Sequence, residues 1–241
     1  MDALIYTAMS GAERALHGQQ VHANNLANLD TPGFRANLEL ATSRSVSGHG
    51  YDARHFGQLQ ANAISGREGV VRQTGRELDV AITGPGFLTV QWEDGEAYTR
   101  AGALAVGADG ALTVSGHPVM GEGGPIVLPP YTAIAIGQDG TLSVQADGQT
   151  AMQVIDKLKL VRADAAELTK NEAGLIVGRT GDALPADETV KVRGGFLEGS
   201  NVSAVEEMVA TMGLTRDFEI QMKLYKAADA MAESGNRLIR E

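Results

Sequence analysis

Residues 5–26 read IYTAMSGAERALHGQQVHANNL, and one spacing runs through them. Ile5, Met9, Ala12, Leu16, Gln19, Ala23 and Leu26 follow alternating steps of four and three, the seam of a helix that lies lengthwise along another helix. A single polar residue in such a seam gives up stability for register or partner number, which is the role the spacing gives Gln19. An amphipathic helix folded onto its own domain has the same periodicity, so spacing alone leaves both arrangements open. Asp30-Thr31-Pro32-Gly33 closes the segment, because Pro32 lacks an amide donor and Gly33 can take the positive φ of a type II turn.

The other end of the chain is of the same kind. Ser203 and Glu206 have the spacing of a capping box, and no proline follows before Glu241. A fully helical stretch from 202 to 240 would be roughly 58 Å long, at about 1.5 Å per residue. On that helix Val205, Val209, Met212, Ile220, Ala227, Met231 and Leu238 share one broad face. Leu214, Phe218, Met222 and Tyr225 share the opposite side. A surface helix needs one apolar stripe, so two stripes predict cover on both sides, for which neighbouring subunits are the natural supply. Gly213 and Gly235 each cost about 1 kcal/mol relative to alanine, which allows a bend or a frayed end.

Between the ends the grammar changes to β. Residues 31–76 are polar and read as an extended linker with short pairings at most, loosest at Ser45-Val46-Ser47-Gly48-His49-Gly50. From Glu77 the chain alternates apolar positions with turns: Leu78-Asp79-Val80-Ala81-Ile82, Gly84-Pro85-Gly86, Phe87-Leu88-Thr89-Val90, Asp94-Gly95, Tyr98-Thr99-Arg100. This is the pattern of hairpins. A short repeat supports it, since Leu104-Ala105-Val106-Gly107-Ala108-Asp109-Gly110-Ala111-Leu112-Thr113-Val114 recurs as Ile134-Ala135-Ile136-Gly137-Gln138-Asp139-Gly140-Thr141-Leu142-Ser143-Val144. Each turn carries one aspartate, too few carboxylates for a calcium loop. Further strands are expected at Lys157 to Val161 and Leu175 to Val177, and the β section closes near Phe196. The fold class is therefore α+β: long N- and C-terminal helices flank a central and mainly antiparallel β domain. The predicted division is an N-terminal assembly helix over 1–30, a linker over 31–76, the β domain over 77–198 and a C-terminal assembly helix over 199–241.

Composition excludes several function classes. With 30 acidic against 20 basic residues the formal charge is −10, which opposes nucleic-acid binding. The absence of cysteine removes disulfides, thiolate nucleophiles and thiolate metal sites. No basic leader region opens the chain and no run of about 18 apolar residues occurs, so neither a cleaved signal nor membrane insertion is expected. His17 and His22 are five positions apart and do not form the i, i+4 zinc pair. No nucleophile elbow, phosphate loop or dinucleotide fingerprint is present. The sequence thus predicts no cofactor, no metal and no catalysis. With aromatic residues at 5%, a glycan- or peptidoglycan-binding module has only Phe87, Trp92, Tyr98 and Tyr131 to build a cleft.

Two stretches carry a family resemblance. Asn24-Asn25-Leu26-Ala27-Asn28, continuing to Thr31-Pro32-Gly33-Phe34-Arg35, resembles the N-terminal signature of the bacterial flagellar rod and hook axial proteins. Leu197-Glu198-Gly199-Ser200-Asn201-Val202, followed by Glu206-Glu207-Met208-Val209, resembles their C-terminal signature. Asp2 with Ile5-Tyr6-Thr7-Ala8-Met9, Leu78-Asp79-Val80-Ala81-Ile82 leading to Gly86-Phe87, Tyr98-Thr99-Arg100, and Gly116-His117-Pro118-Val119 with Gly121 are similar to the proximal rod members. Distal rod members share the C-terminal signature but typically carry Asn-Gly-Phe-Lys where this chain has Thr31-Pro32-Gly33-Phe34-Arg35, and hook proteins are usually longer. The resemblance implies a structural subunit of the basal-body rod, partnered by other rod subunits and by copies of itself. It also implies transit through the flagellar type III export apparatus to the periplasm, and torque passed through an inner layer in which the N- and C-terminal helices form a coiled-coil pair, with the β domain outside.

Overall fold

The structure is a computed structural model describing residues 2–45, 55–93 and 95–240, with the side chains of residues 2–4, 40–45, 55–62 and 238–240 outside that description. The expected loose stretch from Val46 to Gly50, the turn residue Asp94 and the Leu238 side chain therefore lie outside the described residues. The chain divides into two compact units. One comprises residues 1–27, 37–62 and 203–241, and the other residues 28–36 and 63–202.

The first unit is helical. Helix α1 spans Asp2–Ala27 and helix α2 spans Ala204–Arg240. α2 starts where the Ser203 hydroxyl accepts from the Glu206 amide at 3.5 Å, and Glu206 and Glu207 place negative charge on its first turn. It continues unbroken through Gly213 and Gly235. The cost of about 1 kcal/mol at each glycine does not interrupt the helix. The helices run antiparallel: Gly11 faces Gln221, Gly18 faces Leu214, and His22 and Asn25 both meet Glu207. The strands Asn37–Ser45 and His55–Ile64 pair with each other in a two-stranded sheet, a longer ladder than the short pairings expected of residues 31–76. Asn25 fixes the start of the first strand by accepting from the Asn37 amide at 2.8 Å and donating to its carbonyl at 3.0 Å.

The second unit is β, and every named pairing in it is antiparallel. A five-stranded sheet runs in the order Leu160–Val161, Phe87–Trp92, Gly95–Thr99, Ile176–Gly178, Leu168–Lys170. Gly84-Pro85-Gly86 does not close a hairpin. The strand before it, Val80–Thr83, pairs with Lys191–Gly194, whereas the strand after it pairs with Gly95–Thr99. The physical reason is lateral: the Ile82 and Gly84 carbonyls turn to the buried Arg100 guanidinium at 3.0 and 2.7 Å, and a Cβ on Gly86 would meet Val190 at 2.5 Å. The main core gathers Val80, Leu88, Val90, Leu104, Leu112 and Leu142, all essentially without solvent contact.

The repeat is real in three dimensions. Gly107 and Gly137 each donate across their turns, to Ala111 and Thr141 carbonyls, both at 2.8 Å. Gly110 and Gly140 take φ of 81° and 86°, and their carbonyls accept from Leu128 and Leu158. A third copy lies at Asn171 to Leu175, where Asn171 donates to the Leu175 carbonyl, Gly174 donates to the Asn171 carbonyl, and Gly174 has φ of 77°. Sequence comparison missed it because Asn171 replaces the first glycine and its side chain supplies the acceptor that Asp109 and Asp139 supply elsewhere.

Candidate assembly surface

The face that α1 turns to α2 is made of small residues. Ala8, Ala12 and Ala15 are buried, Ala15 to 2% exposure, and Gly11 and Gly18 lie on the same face. A Cβ on Gly18 would sit 2.8 Å from Leu214 Cδ1 and 2.6 Å from Glu39 Oε2. Helices this close leave no room for large side chains. Of the expected seam, Ala12 is buried and Ile5, Gln19 and Leu26 are half-buried, while Met9, Leu16 and Ala23 point outward. The seam inside the chain is therefore displaced by about one position from the expected one, onto alanine and glycine, and Tyr6, Met9 and Leu16 remain exposed.

Polar groups run along one end of this contact. Gln19 Nε2 donates to Thr215 Oγ1 at 3.1 Å, His22 Nδ1 lies 2.5 Å from Glu207 Oε2, and Asn25 Nδ2 reaches both Glu207 oxygens at 3.3 Å. Asn24 Oδ1 accepts from Asn37 Nδ2 at 3.1 Å.

On α2 the two apolar stripes have different fates. Leu214 and Phe218 are half-buried, Leu214 against Gly18 of α1, and Ala228 is fully buried, while Met222 and Tyr225 are partly open at the edge. The cover expected from neighbouring subunits is supplied on this side by the chain's own first helix. The opposite stripe has no cover among the described residues: Val205 is 72% exposed, Val209 64% and Met212 60%, with Ile220 and Met231 also open. A continuous row of large apolar side chains in solvent marks an interaction surface.

In the second unit the two signatures lock together. α1 ends at Ala27, Asn28 accepts from the Thr31 amide, and the Phe34 amide donates to the Thr31 carbonyl at 3.2 Å around Pro32 and Gly33, whose φ is 68°. A side chain at Gly33 would strike the Arg100–Ala101 backbone at 2.2 Å. The Gly33 amide donates to the Glu198 carbonyl at 2.8 Å, and the Asn201 amide to the Phe34 carbonyl at 3.2 Å. The Asn201 side chain accepts from Ala36 N at 2.7 Å and donates to the Arg67 carbonyl at 2.8 Å. The Gly199 amide donates to the Val70 carbonyl, beside the antiparallel pairing of Phe196–Glu198 with Val71–Gln73, Ser200 Oγ accepts from Val202, and Val202 is buried.

Beneath this clasp lie three charges whose role the sequence did not disclose. Arg35 Nη2 pairs with Glu198 Oε1 at 2.9 Å, and Arg100 Nη1 lies 3.4 Å from Glu198 Oε2. All three side chains are buried, Arg35 to 3% exposure. Burial lowers the Arg35 pKa against the opposing pull of Glu198, and brings Arg100 down to about 10. Lys170 sits 3.7 Å over the Phe34 ring and donates to the Arg35 carbonyl at 2.6 Å, and burial without a carboxylate brings its pKa down to about 8. The available signal was positional: Arg35, Arg100 and Glu198 all fall inside the motif stretches.

Comparison with known proteins gives three family matches along the chain. The flagella basal body rod protein family matches residues 5–35, the flagellar hook protein FlgE/F/G D1 domain matches 81–144, and the flagellar basal body rod FlgEFG protein C-terminal family matches 193–238. The flagellar basal-body rod protein FlgF of Salmonella typhimurium strain LT2 is 40% identical over 248 residues, covering 99% of both chains, and the FlgF of Escherichia coli K12 matches equally. The flagellar basal-body rod protein FlgG of Buchnera aphidicola subsp. Schizaphis graminum is 30% identical over 259 residues, with 97% of this chain and 98% of that protein covered.

Proposed function

The chain belongs to the flagellar basal-body rod proteins of the FlgF type, and from that premise we propose that it is a structural subunit of the proximal rod, polymerising through its terminal helices to pass torque towards the hook. The observation that carries the reading is the open stripe of Val205, Val209 and Met212 on α2. Burying such a stripe is worth about 25 cal/mol per Å², enough to drive subunit addition once a growing end presents a partner surface. The partners are other axial proteins of the rod and hook and further copies of this chain, and α1 with α2 works as a coiled-coil pair in the rod wall. Export without a cleaved signal by the flagellar type III apparatus, and a final place in the periplasmic part of the basal body, belong to the same proposal.

The test is in the source bacterium. Basal bodies purified from cells carrying a tagged chain should contain it, and an in-frame deletion should abolish swimming and leave no hook attached. Val209→Asp should reproduce the deletion while the purified variant keeps its β unit. Normal motility in the deletion strain would remove the reading.

A further inference from the structure

Each helix of the first unit leaves one row of large apolar side chains open, and each row holds a charge in its midst. On the side of α1 away from α2, Tyr6, Met9 and Leu16 are exposed, and Glu13 stands between Met9 and Leu16 at helical spacing. On the side of α2 away from α1, Val209, Met212 and Ile220 are exposed, and Arg216 stands between Met212 and Ile220. Glu13 and Arg216 are both exposed, and neither has an ion pair or hydrogen bond among the described residues. Arg14, the basic neighbour of Glu13, turns aside to Glu39 at 3.5 Å. Lys223 and Lys226 continue the α2 row, where Glu219 offsets one positive charge and leaves the row basic.

These charges choose among the ways two copies can cover their rows. A second copy's α2 laid on α2 sets Arg216 and Lys223 against like charges, and α1 laid on α1 sets Glu13 against Glu13. Like charges facing each other across a contact reject a partner, and unlike ones select it. We propose that the outer row of α1 in one copy docks on the open row of α2 in the next, with Glu13 paired to Arg216, an inference that rests on the rod role proposed above. The contact joins two different faces. Each copy therefore keeps one free α1 row and one free α2 row after docking, so copies add in succession instead of stopping at a closed dimer. The open stripe on α2 thereby gains a named partner surface, the first helix of a second copy.

The experiment uses full-length chain in basal bodies from cells that make two differently tagged versions. The chain has no cysteine, so introduced thiols report cleanly. Leu16→Cys in one version and Met212→Cys in the other should give a mixed disulfide on mild oxidation, and neither version should link to its own kind. Links between equal positions would mean α1 on α1 or α2 on α2, and would overturn the docking. Benzoylphenylalanine in place of Met212 tests the other occupants: crosslinks to other proteins alone assign the stripe to them and overturn it as well. Glu13→Arg or Arg216→Glu carried by both versions should lower the mixed disulfide about tenfold, and the two changes together should restore it. Both positions are exposed, so the purified variants should keep the wild-type helical circular dichroism. A double variant no better than the single ones overturns the Glu13 to Arg216 pairing. Basal bodies that contain the chain without any mixed disulfide overturn the docking and leave the rod role standing, whereas absence of the unaltered chain from basal bodies overturns both.

Discussion

Arg35 and Glu198 lie 2.9 Å apart, which ion-pairs the residue closing the N-terminal signature to the second residue of the C-terminal one. Both are buried, and the backbones beside them are joined by the Gly33 amide to the Glu198 carbonyl. The signatures are thus one structural device made of two distant stretches, and contact explains the glycine of the first: a Cβ on Gly33 would sit 2.2 Å from the Arg100–Ala101 backbone, while Gly69, outside both signatures, lies so close to the Gly199 carbonyl that a Cβ there would sit at 2.1 Å.

Glu198→Gln should cost about 3–5 kcal/mol, because it leaves Arg35 and Arg100 buried without their shared carboxylate. Urea denaturation of the β unit reads this directly. Arg237→Ala, which breaks an exposed pair with Glu233 on α2, should change stability by less than about 1 kcal/mol. Equal effects from the two changes would mean that the buried trio does not hold the clasp.

The displaced seam separates folding from assembly at adjacent residues. Ala15→Leu forces a large side chain into the helix contact and should destabilise the helix pair by about 1–3 kcal/mol, seen as lost helical circular dichroism in the purified chain. Leu16→Asp lies on the outer face and should keep the helical signal while blocking incorporation into basal bodies. A reversal of these two phenotypes would restore the heptad seam through Leu16.

Lys170 gives a pH signature. Its folded pKa of about 8 lies below the unsubstituted 10.5, so between those values the unfolded chain holds a proton that the folded chain lacks. Stability should therefore rise with pH across that window, after carrying the full cost of the buried ammonium below it. Denaturation midpoints measured from pH 7 to pH 10.5 should show the rise in the wild type and a flatter profile in Lys170→Met. Parallel profiles would mean that Lys170 is solvated.

The helix pair should open more readily than the β unit. Its contact buries alanines, whereas the β unit buries Leu88, Val90, Leu104 and Leu112, and apolar burial sets the opening free energy. Hydrogen exchange on the purified monomer should show weaker protection over residues 8–22 than over 87–90. Equal protection would show that the two units unfold as one.

Periodicity revealed the two helices and the antiparallel β middle, because spacing and turn chemistry are local. It did not separate the face packed inside the chain from the one left open, because Met9 and Leu16 carry the strongest apolar signal, whereas close helix approach selects the weakly apolar Ala8, Ala15 and Gly18. Gly84-Pro85-Gly86 looked like a hairpin turn because the distant partner strand Lys191–Gly194 leaves no local trace. The clasp was visible only as motif residues. Which groups Asn201 and Arg35 bond is a property of the tertiary fold, and no spacing encodes it.

The clasp also defines a load path. A pull entering along the chain from α1 reaches residues 33–36, and one entering from α2 reaches residues 198–201, and these stretches bond directly to each other through Gly33, Phe34, Ala36 and Asn201. A pull between residues 33–36 and 198–201 is borne by these bonds before it reaches the rest of the β unit. The three hairpin turns take no part in that connection, so they can vary in length and sequence without weakening it.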